Sequence, residues 1–232
     1  MPLSKITGMI LCGGYGKRLH PLTQKIPKVL LEIKPGYTLL DHQLSLYQKA
    51  GVKRVALLAG YLAGSIERKY GGKWGGMRLE YVIERKPLGT LNAIRLGMKR
   101  IRDDVIVSNG DIVADVDLEK MWEEFERSKC EASILAVRMR SPYGILKIRG
   151  KRILSFSEKP PLPYYINGGF YCLRKTVLPM MERFKTGNIE HTVFPELAKR
   201  RKLACYIEDG NKFWISVDTT KDLEEVKKKY GK

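Results

Sequence analysis

Short apolar runs alternate with amphipathic segments along the first half of the chain, and the breaks between them are rich in glycine. Residues 6–12 form an apolar run interrupted only by Thr7 and Gly8, which reads as a buried strand. Residues 39–50 place apolar side chains at helical spacing, with Asp41 as the cap and Gly51 as the stop. A strand over 52–59, a short helix ending at Tyr70, a glycine-rich surface loop over 71–76 and a strand over 79–83 follow. A helix over 91–100, a strand over 104–109 and a helix over 118–128 continue the pattern, with Asp115 and Asp117 assigned to the loop and to that last helix start. Strand–helix–strand order of this kind predicts a parallel sheet with helices on both faces.

The second half has a different texture. A strand over 132–138 precedes a hairpin of 144–149 and 152–156 around Gly150-Lys151. Next come Ser157-Glu158-Lys159-Pro160, a loop rich in Pro and Tyr, and Ile166-Asn167-Gly168-Gly169-Phe170-Tyr171. Helices over 175–184 and 191–201, a strand over 202–207, the run 213–218 and a terminal helix capped at Thr219 or Thr220 close the chain. No internal repeat or low-complexity linker divides it.

The richest chemistry sits just after the first strand. Gly13, Gly14 and Gly16 expose backbone N–H groups with no side chains in the way, a concavity suited to phosphate and equally to a tight structural turn. Arg18 and Lys28, flanking a proline-containing segment, can bring two positive charges to such a phosphate. Two familiar phosphate motifs fail: Lys17 is followed by Arg18 rather than Ser or Thr, and Leu19 occupies the third glycine position of a dinucleotide fingerprint. Asp111, just beyond the strand 104–109, stands where open α/β sheets bind ligands, although an aspartate there caps a turn just as readily.

The whole run Gly13-Gly14-Tyr15-Gly16-Lys17-Arg18-Leu19-His20-Pro21-Leu22-Thr23, followed by Pro27-Lys28, resembles the signature of the sugar-1-phosphate nucleotidylyltransferases. That resemblance extends over nearly the whole chain with the motifs in family order. It implies a Rossmann-like three-layer α/β/α fold with a mixed, mostly parallel central sheet, one unit over 1–232. The N-terminal half would bind nucleotide, and about 130–210 would form a sugar-phosphate-binding subregion. It implies that Leu11, Gly13, Gly14 and Gly16 wrap the nucleotide phosphates, and that Arg18 and Lys28 stabilise the transferring phosphate. Pro87-Leu88-Gly89-Thr90 matches a segment that contacts base and ribose, which makes Pro87, Gly89 and Thr90 nucleotide-binding candidates. Glu84, just before it, can accept from a base amino group. Gly144, Glu158, Lys159, Asn167 and Gly168 resemble the sugar-phosphate subsite, where a carboxylate takes hydroxyls and a lysine the phosphate. Mg²⁺ is the implied cofactor, with Asp111 as one ligand. The family's usual Trp-x-Asp-x-Gly-Thr becomes Trp214-Ile215-Ser216-Val217-Asp218-Thr219 here, so Ser216 replaces the second metal aspartate and Asp218 is assigned in its stead.

Composition narrows the partners. At 232 residues and 44% apolar content the chain suits one large α/β domain. No apolar run approaches the ~20 residues of a membrane span and no signal peptide precedes the first strand, so a soluble, cytoplasmic protein is expected. Cys12, Cys130, Cys172 and Cys205 form no C-x-x-C pair, and His20, His42 and His191 are scattered, which favours free thiols over zinc. The formal charge of +18 is spread along the chain, with dense tracts only at 199–202 and 227–229. Steering of anionic substrates accounts for such charge better than nucleic-acid binding, because no basic stretch is interleaved with aromatics.

The expected partners are therefore an NTP and a sugar-1-phosphate, without nucleic acid or membrane, and a homo-oligomer is compatible. An acetyltransferase domain of the kind some relatives append has no room within this length. A cytidylyltransferase for a non-sugar phosphate such as phosphocholine or inositol phosphate, and a non-catalytic binder of nucleotide sugars, remain as alternatives.

Overall fold

The computed structural model describes residues 2–84, 86, 89–208 and 212–231; Pro87 and Leu88 lie outside the described residues. The elements run β1 (Thr7–Leu11), β2 (Glu32–Lys34), β3 (Tyr37–Thr38), α1 (Leu39–Lys49), β4 (Arg54–Ala59), α2 (Ala63–Tyr70), β5 (Lys73–Trp74), β6 (Met77–Ile83), α3 (Thr90–Arg100) and β7 (Val105–Asn109). They continue with β8 (Ile112–Ala114), α4 (Leu118–Ser128), β9 (Ala132–Arg140), β10 (Ile145–Arg149), β11 (Arg152–Ser157), β12 (Pro161–Leu173), α5 (Leu178–Glu182), α6 (Val193–Lys199), β13 (Leu203–Ile207), β14 (Trp214–Ser216) and α7 (Thr220–Tyr230).

Eight strands form the central sheet in the order β13-β9-β12-β7-β1-β4-β6-β5. The pairs β1–β4, β1–β7, β4–β6 and β13–β9 are parallel; β12 runs antiparallel to β7 and β9, and β5 antiparallel to β6. The sheet is thus mixed and mostly parallel, as the resemblance implies. Its central strands are buried on both faces, which is why residues 9–11 of β1 and 105–107 of β7 read as continuous apolar runs rather than alternating ones. One face packs against α1, α2 and α4 through residues such as Leu44, Ile66 and Phe125. The other packs against α3, α5 and α6 through Ile94, Met181 and Leu197. A third cluster closes the end of the molecule, where Leu223 and Val226 of α7 meet Leu19, Ile33 and Val113.

Several boundaries move for identifiable reasons. The cap of α1 is Thr38, not Asp41: the Thr38 hydroxyl accepts from Asp41 N–H while the Asp41 carboxylate accepts from Thr38 N–H, a reciprocal capping box. The stretch read as a Pro- and Tyr-rich loop is the first part of β12, which pairs Pro161 with Arg140 and Tyr165 with Arg138. Proline is tolerated there because the register shifts between Pro161 and Tyr165 leave its missing N–H out of the ladder. The glycine-rich loop after α2 contains the two-residue β5, paired to β6. The helices expected over 175–184 and 191–201 shorten to α5 and α6, each preceded by a 3₁₀ turn, Lys175–Val177 and Ile189–His191.

Candidate active site

The C-terminal ends of β1 and β7 lie side by side, with Leu11 in register with Asn109. The chain leaves β1 through Cys12, whose N–H donates to Leu58 O at 2.8 Å, and enters the glycine loop. Gly16 takes a left-handed conformation (φ 60°) and starts a 3₁₀ turn, Lys17–Leu19. The buried Thr23 ties that turn down, its hydroxyl donating to Gly16 O at 2.8 Å, while Leu19 is wholly buried against α7 and its neighbours. The Thr and Leu of the opening motif are therefore anchors, and they leave Arg18 outside at 73% side-chain exposure.

Four charged side chains from distant parts of the chain meet beside this loop. Lys28 Nζ, only 12% exposed, donates to Asp111 Oδ2 at 2.6 Å and to Asp218 Oδ1 at 2.9 Å. Arg18 donates to the same Asp218 oxygen at 2.8 Å, and the Ser216 hydroxyl donates to the other, Oδ2, at 3.0 Å. Backbone pairing makes the meeting obligatory: β8 and β14 run antiparallel with Ile112 opposite Ser216, and Val217 N–H donates to Asp111 O at 2.9 Å. Gly110 is demanded by the same geometry, since a Cβ there would stand 2.6 Å from Leu11 O. Burial alone would raise the Asp218 carboxyl. The Lys28 hydrogen bond and charge, the Ser216 hydroxyl and the Arg18 charge outweigh it and hold the carboxyl below the usual range. Burial and the Asp111 charge push the neighbouring Cys12 thiol up, so it stays a neutral S–H and donates to Ile10 O.

A cavity of about 290 Å³ opens between this cluster and the start of α3. Leu11, Gly13, Gly14, Lys28, Gly89 and Thr90, expected nucleotide or phosphate residues, line it together with Asp111, the expected metal ligand. Gly16, Arg18 and Asp218 are not among its lining residues; the last two join through their hydrogen bonds to the lysine–carboxylate cluster. Gly89 is required by the chain's own backbone: at φ 94° a Cβ would collide with the Gly187 carbonyl oxygen. The first amides of α3 are also taken: Leu91 N–H donates to Gly187 O and Thr90 N–H to Asn188 Oδ1, both at 3.2 Å.

The expected sugar-phosphate residues stand apart from the cavity. Gly144 and Glu158 are neighbours across the base of the β10–β11 hairpin, where a Gly144 Cβ would lie 3.0 Å from Glu158 Oε2. Glu158 and Lys159 are exposed, and Lys159 adopts a positive φ of 46°. Asn167 is committed to its own strand, donating to the Tyr171 hydroxyl at 3.0 Å and accepting from Gly169 N–H at 2.9 Å. Gly168 packs on Leu135 and Val137, and its carbonyl accepts from Trp214 Nε1 at 2.9 Å.

Residues that motif reading passes over complete the cavity wall. Asn109 Oδ1 is buried with no hydrogen-bond partner among the described residues, and Asn109 lines the cavity. Such an orphaned acceptor is open to a donor from water or a bound molecule. Asn188 and Glu190 hold Thr90, the glutamate accepting from its hydroxyl at 3.0 Å and from the Tyr171 hydroxyl at 3.2 Å. Nothing in the local pattern around 188–190 marks them, because their role depends on a contact about a hundred residues away in sequence.

The oxygen donors at this cluster suit a hard divalent cation. Two carboxylates already share one cationic centre with a hydroxyl beside them, and no third carboxylate, His or Cys joins them among the described residues. Mg²⁺ is held in this way, by one or two carboxylates with its remaining positions left to water and substrate phosphate.

The sequence profile of the nucleotidyl transferase family matches residues 7–232. The chain belongs to that family. As a nucleotidyl transferase it is 34% identical over 230 residues to a mannose-1-phosphate guanyltransferase of Yarrowia lipolytica, covering 93% of this chain and 61% of that one. It is 30% identical over 231 residues to a mannose-1-phosphate guanylyltransferase of Mycobacterium tuberculosis, covering 96% of this chain and 64% of that one. The transferase thus spans less than two thirds of the length of the curated relatives it matches. Its fold matches a crystal structure from Bacillus anthracis, provisionally named a glucose-1-phosphate thymidylyltransferase. The TM-score is 0.77 and the identity 23%, over 96% of this chain and 94% of that one. Among the described residues no helix is long and apolar enough to cross a membrane.

Proposed function

We propose that this nucleotidyl transferase moves a nucleoside monophosphate from an NTP to a sugar-1-phosphate in the cytoplasm, with GTP and mannose-1-phosphate as its substrates. A phosphate oxygen of the sugar-1-phosphate attacks the α-phosphorus. The bond from that phosphorus to the β-phosphate bridging oxygen breaks, and pyrophosphate leaves with the electron pair. No covalent enzyme intermediate is required. The observation that carries the reading is the Lys28 ammonium held between Asp111 and Asp218 at the mouth of a glycine-lined cavity. Lys28 and Arg18 oppose the charge that builds on the phosphates, and the glycine loop lets the triphosphate approach the backbone. Asp111 and Asp218 would hold Mg²⁺, which supplies further charge neutralisation and alignment of the phosphates when bound.

Glu84 supports guanine as the base. It lines the cavity, and the Asn92 side-chain amide hydrogen-bonds its Oε1 and fixes the carboxylate. Guanine offers adjacent N–H donors on its Watson–Crick edge, whereas thymine and uracil present carbonyl oxygens on both sides of one N–H. A carboxylate favours the former. On the acceptor side, Lys159 takes the phosphate and Glu158 the sugar hydroxyls once the hairpin base and the cavity share a substrate.

A matrix of pyrophosphate release tests this directly: GTP, ATP, CTP, UTP and dTTP against mannose-1-phosphate, glucose-1-phosphate, phosphocholine and inositol phosphate. The expected maximum is GTP with mannose-1-phosphate. A maximum with CTP and a non-sugar phosphate would replace the acceptor class, and nucleotide binding with no release in any cell of the matrix would remove the catalytic reading.

A further inference from the structure

Glu84, the cavity residue on which the choice of base rests, is the end of a longer chain of hydrogen bonds. The Asn92 side-chain amide donates to Glu84 Oε1, and the Asn92 amide oxygen accepts from Arg95 Nη2 at 2.5 Å. Asn92 lies on the first turn of α3, three residues before Arg95, so the two side chains share a face. Arg95 also donates through Nη1 to Phe184 O and, at 3.5 Å, to Met181 O, and through Nη2 to Lys185 O at 3.2 Å. Its guanidinium is thereby fastened to the last turn of α5 and the bend that follows.

The two ends of this chain dictate its middle. A guanidinium only donates and a carboxylate only accepts, while a primary amide donates from its nitrogen and accepts at its oxygen. Between Arg95 and Glu84 the Asn92 amide therefore has one orientation that satisfies both neighbours: oxygen toward the arginine, nitrogen toward the glutamate. Turned over, it would set oxygen against a carboxylate and N–H groups against a guanidinium. Asn92 is only 4% exposed, so water would relieve neither clash. Glu84 Oε1 is thus held from behind, and Oε2 accepts no hydrogen bond from the described residues. A carboxylate pinned in this way keeps acceptor capacity on both oxygens for two adjacent N–H donors.

We infer that Arg95, acting through Asn92, is a positioning residue that sets base specificity, because it fixes the amide that holds Glu84 as an acceptor for guanine. The inference rests on the proposed reading of Glu84 and adds to it a residue that reaches no nucleotide itself. Arg95 is not among the residues lining the cavity, and the base feels it only through two intervening side chains. A second tie between the same helices separates this role from plain helix packing. Lys99 Nζ pairs with Glu182 Oε1 at 2.9 Å and so also joins α3 to α5, but with both side chains about half exposed. Loss of that tie loosens the two helices without disturbing the polarity of the Asn92 amide.

Equilibrium binding of GTP and of UTP to the full chain, without acceptor so that no transfer proceeds, tests the inference. Wild type should bind GTP more tightly. Asn92→Asp is isosteric and keeps a partner for Arg95 but turns an oxygen toward Glu84. It should raise the Kd for GTP at least about tenfold and leave UTP unchanged. Arg95→Met, which frees the amide to turn, should lower the GTP preference in the same direction, and Asn92→Asp decides alone if that variant does not fold. Lys99→Ala should keep the wild-type ratio. Equal weakening of both nucleotides in Asn92→Asp would make the chain of bonds structural and overturn the inference. So would a GTP preference that survives in Asn92→Asp, or one that is lost in Lys99→Ala; in each of these cases a wild type that prefers GTP leaves the reading of Glu84 standing. A wild type that binds GTP and UTP alike would remove the guanine reading of Glu84, and this inference with it. Discrimination lost as expected in a protein without transferase activity would leave the inference standing and remove only the catalytic reading.

Discussion

The proposed nucleotide side and the proposed acceptor side of this molecule are built by opposite structural means. On the nucleotide side, Lys28, Asp111 and Asp218 come from three remote segments and are locked by backbone pairing between β8 and β14. Room for anything but hydrogen is absent at Gly110, and Lys28 is nearly enclosed. On the acceptor side, Glu158 and Lys159 sit exposed at the base of the β10–β11 hairpin, which continues from the β9–β12 ladder. The first arrangement fixes charges before any ligand arrives, as transition-state stabilisation requires. The second leaves its charges in water, where they bind and orient but stabilise little on their own. Damage to the first should strike kcat and stability together. Damage to the second should strike KM.

The sharpest break in that contrast is Lys28→Ala. Loss of a charge aimed at a reacting phosphate costs about 10²–10³-fold in rate. It also leaves two carboxylates facing one another, so thermal stability should drop in metal-free buffer and recover on adding millimolar Mg²⁺. Differential scanning with and without the cation reads this independently of activity. A variant with normal turnover, or one that Mg²⁺ does not restabilise, would separate Lys28 from the site.

Gly89→Ala comes next. The added methyl meets the Gly187 carbonyl in a backbone at φ 94°. Strain of about 1–3 kcal/mol follows from the backbone conformation alone, and the collision adds to it. Urea unfolding should show a lower midpoint, with the 187–190 segment detached from α3 and nucleotide affinity reduced. An unchanged midpoint would mean that the segment yields at no cost and that Thr90 does not depend on it.

The same contrast explains what could be read from the sequence. Gly13 to Lys28 and Gly110-Asp111 stood out as candidates because their residue types are contiguous and at fixed spacing. The central parallel strands were legible because burial on both faces gives them continuous apolar stretches such as residues 9–11 and 105–107. Asn109, Asn188 and Glu190 were not, since each acts through tertiary contacts: an orphaned oxygen inside a cavity, or a hydrogen bond to Thr90 from about a hundred residues away. The first part of β12 was hidden by its prolines and tyrosines, a loop composition made into a strand by its register shifts against β9. At Gly89 the sequence shows a glycine but not the Gly187 carbonyl that a Cβ there would meet. For Ser216 and Asp218 the substitution itself was visible. That both side chains meet in one hydrogen bond, so that the hydroxyl supports the carboxylate, needed the fold.

Lys159→Ala probes the exposed side. A charged hydrogen bond to substrate phosphate contributes about 1.5–3 kcal/mol, so KM for the sugar phosphate should rise roughly 10–100-fold. Melting temperature and nucleotide KM should stay at wild-type values, since Lys159 is exposed. A fall in kcat with unchanged KM would place this lysine with Lys28 instead and erase the distinction between the two sides.

The smallest effect is electrostatic and lies at low pH. In the folded protein the Asp218 carboxyl is lowered from its ordinary value of 3.8, where Lys28, Ser216 and Arg18 outweigh burial. The unfolded chain therefore binds a proton at Asp218 before the folded one does. Ionised Asp218 adds stability that is fully present above about pH 4 and is lost as pH falls through the lowered folded value. Asp218→Asn removes the titrating group, so the variant should start less stable at neutral pH and lose less on acidification below 3.8. Unfolding curves of wild type and variant should converge toward acid pH. Convergence should weaken in high salt for the exposed Arg18 share of the effect and persist for the enclosed Lys28 share. Curves that run parallel at every pH would mean that Asp218 is not held by its cationic partners in solution, and the lock on the nucleotide side would rest on Asp111 and Lys28 alone.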